Sequence, residues 1–189
     1  MARDGAKPRR RRLPRNAEAF REMALNYLGR FPTTTKRFEQ YLNRKVGEAI
    51  REGYAEAEVA NLWIAPLVAR LTRLGLLDDA RYAESRASVL HRRGRSRVVI
   101  QRDLRGRGVP NELIPAALES VANECEGDVQ LEAAMNHARR KRLGPYDMTG
   151  KRVERRERHL ASLARAGFSF SLARQIVDAE TVEDILFEG

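Results

Sequence analysis

Apolar residues recur at spacings of three and four positions along most of the chain, which is the period of one face of an α-helix. Phe20, Ala24 and Leu28 begin this pattern, and Ile176 and Val177 belong to its last segment. No segment alternates between apolar and polar residues over the length of a typical strand. The sequence therefore predicts an all-α fold.

Glycines and hydroxyl residues mark where the predicted helices end and begin. Glycines follow several helical segments, and hydroxyl side chains come next, at residues 33–35, at Ser96 and at Ser169 or Ser171. A hydroxyl in this position accepts hydrogen bonds from the free N–H groups of the following first turn. The pattern thus predicts helical hairpins with short capped turns.

The first predicted helix pair recurs further along the chain. A shift of 62 residues brings matching positions into register: Leu28 onto Leu90, Thr34 onto Ser96, Phe38 onto Ile100 and Leu42 onto Leu104. A second shift, of 59 residues, brings Leu104 onto Leu163 and Gly108 onto Gly167. Units this small cannot bury an apolar face alone, so neighbouring units stack. The register predicts tandem repeats of three-helix units in an elongated arrangement.

These patterns divide the chain into four segments. Residues 1–16 are expected to be a disordered basic arm, because they are rich in arginine and lack an apolar period. Residues 17–61 are expected to form a first three-helix unit with an insertion, and 62–124 a second unit. Residues 125–189 are expected to form a third helical unit with an acidic C-terminus.

Positive charge is concentrated in one internal segment. The chain carries a formal net charge of +10, and residues 81–109 hold nine arginines against Glu84 and Asp103. The nine are Arg81, Arg86, Arg92, Arg93, Arg95, Arg97, Arg102, Arg105 and Arg107. A solvated helix face usually interleaves acids and bases, so this excess favours a surface that faces a polyanion or an acidic protein. The accessory basic arm contributes Arg9, Arg10, Arg11 and Arg12.

The sequence offers no arrangement typical of an enzyme or a metal site. His91, His137 and His159 lie on separate predicted helices and are expected to be solvent-exposed, and the single Cys125 adds no ligand spacing that zinc requires. We therefore expect no catalytic residue, no metal and no cofactor. Trp63 is expected in a helix core, because single-strand binders need several aromatics along a basic groove.

The cellular compartment is predicted from absences in the sequence. No apolar run approaches the ~20 residues of a membrane-spanning helix, and the basic N-terminus lacks the apolar segment of a signal peptide. A single cysteine permits no intrachain disulfide and requires no oxidising compartment. The expectation is a cytoplasmic protein without membrane contact.

The order of several short motifs resembles the RecX family of RecA regulators. The resemblance is carried by residues 76–83 (LLDDARYA), 92–96 (RRGRS), 104–109 (LRGRGV) and, more loosely, 161–168 (ASLARAGF). It covers about residues 24–180. The segment 43–60 looks longer than is usual in the family, and the basic arm is additional.

The resemblance implies both a fold and a function. Members of the family consist of three-helix tandem repeats, bind RecA nucleoprotein filaments along the helical groove, and inhibit the recombinase and coprotease activities of RecA. The resemblance therefore implies a monomeric negative modulator of DNA repair, recombination and the SOS response. Its partners would be the RecA filament and the single-stranded DNA within it, with weak direct DNA binding.

A second interpretation comes from residues 33–38 (TTTKRF), which begin a predicted helix after a short turn. The recognition helix of helix-turn-helix DNA-binding proteins begins in the same way. Against this interpretation, the same hairpin recurs along the chain, and asparagine and glutamine are sparse at the exposed starts of these helices. The alternative function is a helix-turn-helix DNA-binding regulator.

Overall fold

The computed structural model describes residues 13–187. Arg9, Arg10, Arg11 and Arg12 of the predicted basic arm lie outside the described residues. Between residues 13 and 187 the regular secondary structure is helical throughout, with no β-strand. This confirms the predicted all-α class.

The helices within the described range are short. They are α1 Ala17–Leu28, α2 Thr35–Arg51, α3 Ala57–Asn61, α4 Ile64–Arg73, α5 Asp79–Arg92, α6 Arg97–Gly106, α7 Ile114–Asn123, α8 Val129–Lys141, α9 Arg156–Arg165, α10 Phe170–Asp178 and α11 Asp184–Phe187. Short 3₁₀ helices lie at Asn111–Leu113 and Gly144–Tyr146.

Hydroxyl caps begin the helices where the sequence predicts them. The side chains of Thr34, Ser96 and Ser169 each accept a hydrogen bond from the backbone N–H three residues later, at 3.2, 3.4 and 3.3 Å. Each cap satisfies one of the N–H groups that a helix leaves without an internal partner. These caps fix the positions at which α2, α6 and α10 start.

Helices α1–α4 form the first helical unit, which is a compact body ending at Asp78. Its core joins Phe20 of α1 and Phe38 of α2 to Ile64 and Leu71 of α4, all of them buried. The side chain of Trp63 packs against this core, as predicted, with its ring centroid 5.6 Å from that of Phe20.

The position of α4 differs from the predicted division of the chain. The sequence pattern assigned residues 62–124 to the second unit, but the apolar face of α4 packs against α1 and α2 of the first. An apolar period shows that a helix has a buried face and not which neighbour covers it. The second unit therefore starts after Asp78.

Helices α5–α11 form another compact body, which begins at Asp79 and contains two apolar clusters. The cluster of α5–α7, which includes Ile100 and Leu104, belongs to the second helical unit. The cluster of α8–α11, which includes Leu163 and Ile176, belongs to the third helical unit.

Two turn glycines let the second and third helical units approach closely. Gly94 lies between α5 and α6 with a φ of 68°, and a Cβ there would lie 2.8 Å from the carbonyl oxygen of Ala133 on α8. Gly167 lies between α9 and α10 with a φ of 86°, and a Cβ there would overlap the side chain of Ser96. A side chain at either position would force the two units apart.

Candidate basic surface

The nine arginines of residues 81–109 divide into a paired group and an exposed group. Arg86 of α5 donates two hydrogen bonds to the Asp103 carboxylate of α6, at 2.9 and 3.0 Å. Arg107 donates to the same carboxylate at 2.7 Å and to the hydroxyl of Tyr82 at 3.3 Å. Arg86 and Arg107 are therefore engaged in holding α5 and α6 together.

The two guanidinium groups hold the pKa of Asp103 below its ordinary range. The hydrogen bonds from Arg86 are the largest cause, and the one from Arg107 adds to them, while burial of the carboxylate acts in the opposite direction. The carboxylate is consequently ionised throughout the neutral range, and it binds Arg86 across the helix pair and Arg107 at the end of its own helix.

The variant Asp103→Asn is expected to lower the free energy of unfolding by about 2 kcal/mol near neutral pH, because both guanidinium groups lose their charged acceptor. The pKa of Asp103 is lower in the folded state than in the unfolded state. Its contribution to the free energy of unfolding is therefore complete at pH values above its unfolded pKa of ~3.9, and it is lost as the pH falls through its folded pKa. Urea unfolding of both proteins measures the difference, which should shrink as the pH falls below about 4.

The control for this variant is Glu84→Gln, because Glu84 is the other acid of the segment and is exposed. Its removal is expected to change the free energy of unfolding by less than about 0.5 kcal/mol. Equal losses in the two variants would contradict the role given to Asp103.

Six of the nine arginines are exposed and form no ion pair with an acidic side chain of the described range. They are Arg92, Arg93, Arg95, Arg97, Arg102 and Arg105. The first four follow one another along the end of α5, the turn and the start of α6. The last two share the exposed face of α6 with Val98, because helix residues four and seven positions apart lie on one side. Arg81 is exposed at the start of α5.

Cations of the third helical unit extend this set. Arg140 of α8 donates a hydrogen bond at 2.7 Å to the carbonyl oxygen of Arg93. Arg139, Lys141 and Arg142 share this end of α8 and are exposed. The partial negative charge at the C-terminal end of a helix favours cations there. We define the candidate basic surface as Arg92, Arg93, Arg95, Arg97, Arg102 and Arg105 together with Arg140 and Lys141.

An open cleft of about 770 Å³ adjoins this surface in the third helical unit. The cations that line it are Lys141, Arg142, Arg155, Arg158 and Arg165, and the acids are Asp147 and Glu157. The carboxylate of Asp147 is buried and lies 3.6 Å from the Arg155 guanidinium, so its charge is largely compensated. The sequence signal for Lys141 and Arg142 was the run of cations at 139–142, which a charge count centred on 81–109 leaves out.

All three histidines are buried, which contradicts their predicted exposure. Each has a polar partner: His91 Nε2 lies 2.9 Å from the Val129 carbonyl oxygen, His137 Nε2 lies 3.2 Å from Ser162 Oγ, and His159 Nδ1 accepts from the Gly144 N–H at 3.2 Å. A histidine whose ring nitrogens are bonded packs in a core as a medium-sized aromatic residue does. Helical spacing alone did not distinguish this placement from an exposed one.

Burial lowers the pKa of both His137 and His159. Around His137, the charges of Arg95, Lys141 and Arg140 lower it further, and a hydrogen bond with the Gly94 backbone partly opposes them. Around His159, the Asp147 carboxylate partly opposes the effect of burial. Both imidazoles are therefore neutral in the folded protein at neutral pH.

The free energy of unfolding is expected to fall as the pH drops below ~6.5, the ordinary histidine value. Because the folded pKa values are lower, the unfolded chain takes up protons more readily, and the stability present above that pH is lost in acid. Each histidine with a lowered folded pKa reduces the free energy of unfolding by up to about 1.4 kcal/mol per pH unit, over the range between its unfolded and its folded pKa. Urea titrations at about pH 7.5 and pH 5.5 should show a smaller difference for His137→Gln than for the unsubstituted protein. An unchanged difference would contradict the neutral state of His137.

Comparison with known proteins identifies the relatives of this chain. A family model described as RecX, second three-helix domain, matches residues 78–118. The regulatory protein RecX of Myxococcus xanthus is 41% identical over 157 residues, which cover 82% of this chain and 82% of the relative. This chain belongs to the RecX family.

Other RecX proteins extend the comparison. The regulatory protein RecX of Thermobifida fusca is 31% identical over 169 residues, which cover 86% of this chain and 81% of the relative. The regulatory protein RecX of Corynebacterium efficiens is 35% identical over 125 residues, which cover 61% of this chain and 56% of the relative. No solved structure matches the chain.

The RecX family model falls on the second helical unit. Its match begins at residue 78, directly before α5, and includes the six exposed arginines. This start agrees with the packing boundary after Asp78 and not with the predicted boundary before residue 62. None of the helices within residues 13–187 combines the length and apolar character that crossing a membrane requires.

Proposed function

We propose that this RecX-family protein is a negative modulator of RecA that binds the RecA–single-stranded DNA filament through its candidate basic surface. The observation that carries the proposal is the set of six exposed arginines, Arg92 to Arg105, that form no ion pair within residues 13–187 and lie in the helical unit that matches the family model. The resemblance of the motifs to those of RecA regulators supports the choice of partner. The protein would act in the cytoplasm, on DNA repair, recombination and the SOS response.

The mechanism in this proposal is steric and allosteric. The basic surface docks in the groove of the filament, where it contacts RecA and the phosphates of the DNA. Occupation of the groove blocks access to the bound strand or changes the stability of the filament. No covalent bond is made or broken, so the protein is not an enzyme in this account.

The cleft of the third helical unit supports an extended contact. Its lining cations lie on α8, on α9 and in the segment between them, beside the part of the basic surface that Arg140 joins to the second unit. Several cations along one path suit a phosphate chain, because each contact releases a condensed counterion. Binding would therefore weaken as the salt concentration rises.

The activity of RecA tests the proposal. Increasing amounts of the full-length protein would be added to active RecA filaments, and ATP hydrolysis, strand exchange and coprotease activity would be followed in parallel. A dose-dependent loss of strand exchange and coprotease activity is the expected result. Unchanged activities, with the protein in excess over RecA, would overturn the proposal.

The alternative, a helix-turn-helix regulator, predicts a different property. Thr34 and Phe38 of its proposed recognition segment are fully buried, and Lys36 and Arg37 are exposed. Tight, sequence-selective binding to duplex DNA in the absence of RecA would favour this alternative. Weak, salt-sensitive binding without sequence preference would favour the RecA modulator.

A further inference from the structure

Three side chains that can bind a transition metal converge within the second compact body. His91 lies in the last turn of α5, Cys125 follows α7, and Glu132 lies in the first turn of α8. One ligand atom from each lies within 4.8 Å of the other two. They come from three separate elements, so the fold brings together groups that are far apart in the sequence.

The distances fit a tetrahedral site after a small contraction. Cys125 Sγ lies 4.0 Å from His91 Nε2. In a zinc site with Zn–S of about 2.3 Å and Zn–N of about 2.0 Å, these two atoms lie roughly 3.6 Å apart. His91 is buried and fixed, whereas Glu132 is exposed and can rotate towards the other two groups.

Metal binding would replace the existing hydrogen bonds of His91 and Cys125. His91 Nε2 lies 2.9 Å from the carbonyl oxygen of Val129, so a metal on Nε2 would take the place of the proton in this hydrogen bond and lie beside that oxygen. Val129 is the first residue of α8, so its carbonyl oxygen also accepts a hydrogen bond inside the helix. The Cys125 thiol donates to the Val121 carbonyl oxygen at 3.2 Å. Val121 lies in the last turn of α7, where a carbonyl oxygen lacks a partner within the helix, so this oxygen would pair with water once the thiol bound a metal.

The surroundings of Cys125 argue against a nucleophilic or redox role. Burial raises the pKa of the Cys125 thiol to about 11, and the neighbouring Glu132 and Glu124 carboxylates contribute to the rise. A protonated thiol is a poor nucleophile at neutral pH. The same negative surroundings favour a divalent cation, whose charge displaces the thiol proton.

We propose that His91, Cys125 and Glu132 form a zinc-binding site with a water molecule as the fourth ligand. Thiolate and imidazole ligands select zinc over magnesium and calcium, which prefer oxygen. The site links the end of α5 to the segment that joins the second and third helical units. Its role is to stiffen this junction, and it is independent of the proposed action on RecA.

The test is a titration of the full-length protein, without an affinity tag and after treatment with a chelator, with Co²⁺ and then Zn²⁺. We expect one equivalent of Co²⁺ to produce a thiolate-to-cobalt absorption band, and Zn²⁺ to abolish it. Zn²⁺ should also raise the melting temperature. Absence of the band, or a band without any effect on melting, would overturn the proposal.

Two variants and one control identify the ligands. Cys125→Ser should abolish the band, and Glu132→Gln, which alters an exposed side chain, should weaken Co²⁺ binding at least about tenfold. His137→Gln replaces a buried histidine elsewhere in the same body and should leave the titration unchanged. Equal Co²⁺ affinity in Glu132→Gln and the unsubstituted protein would contradict the role of Glu132 as a ligand. An unaltered absorption band in Cys125→Ser would refute the proposed site as a whole.

Discussion

Gly94→Ala is expected to lower the free energy of unfolding of the second compact body by about 3 kcal/mol, from backbone strain and overlap together. Gly94 has a φ of 68°, which side chains other than that of glycine rarely adopt. The added Cβ would lie 2.7 Å from the Cα of His137 and 2.8 Å from the carbonyl oxygen of Ala133. These are backbone atoms of α8, so no side-chain rotation relieves the overlap.

Thermal and urea unfolding, followed by circular dichroism, measure this effect. A loss of this size corresponds to a fall in melting temperature of roughly 10–20 °C for a body of this size. The matched control is Gly150→Ala, in the same body, where φ is 72° and nothing lies within 4 Å of the added Cβ. The Gly150→Ala variant therefore measures only the cost of placing alanine at a positive φ, which is expected to be about 1–2 kcal/mol. Equal losses in the two variants would show that the contact between α8 and the turn of Gly94 is not close.

Reversing the charge of four exposed arginines is expected to abolish binding to RecA–single-stranded DNA filaments. The substitutions are Arg92→Glu, Arg95→Glu, Arg97→Glu and Arg105→Glu. They turn four attractive contacts into repulsive ones on a surface that faces a polyanion. Because these side chains are exposed and form no ion pairs within the described residues, helical content should be unchanged. Co-sedimentation with filaments measures the loss, and circular dichroism measures the fold.

A matched variant distinguishes binding through the candidate basic surface from a general effect of net charge on filament binding. Arg21, Arg30, Arg51 and Arg70 are exposed arginines of the first helical unit. Changing all four to glutamate alters the net charge by the same amount. This variant should retain most of its filament binding at moderate salt. Loss of binding in both variants would mean that net charge, and not the candidate basic surface, governs association.

Local features of the fold are the ones that the sequence predicts well. A cap depends on a hydroxyl and the N–H groups a few residues away, so the caps could be narrowed to residues 33–35, Ser96 and Ser169 or Ser171 without knowledge of the fold. Trp63 could be placed beside a core because its neighbours follow a helical period. The class of the fold follows from the same period repeated along the chain.

Features that depend on neighbours distant in the sequence were predicted less well. The pattern of α4 shows an apolar face but does not say that α1 and α2 cover it. The pairing of Arg86 with Asp103 arises because α5 and α6 pack side by side. Burial of the histidines also depends on tertiary packing, which hydrophobic spacing does not encode.

The candidate surface shows the same limit. A count of charge along residues 81–109 finds its centre, but Arg140 joins it only because α8 packs against the turn at Gly94. The cleft cations Arg155, Arg158 and Arg165 lie about 60 residues further along the chain, and the packing of α9 on α8 brings them next to this surface. The surface is therefore defined by where the charged side chains lie in the folded protein, and not by where they lie along the sequence.

The most direct test of the central claim is site-specific photo-crosslinking to RecA–single-stranded DNA filaments. In a Cys125→Ala background, a benzophenone would be attached through Val98→Cys, among the exposed arginines, or through Leu62→Cys, in the first helical unit. Val98 and Leu62 are 55% and 73% exposed, so both positions accept the label. The account predicts crosslinks to RecA or to the DNA strand from position 98 and few from position 62. Crosslinks from position 62 with none from position 98 would contradict it.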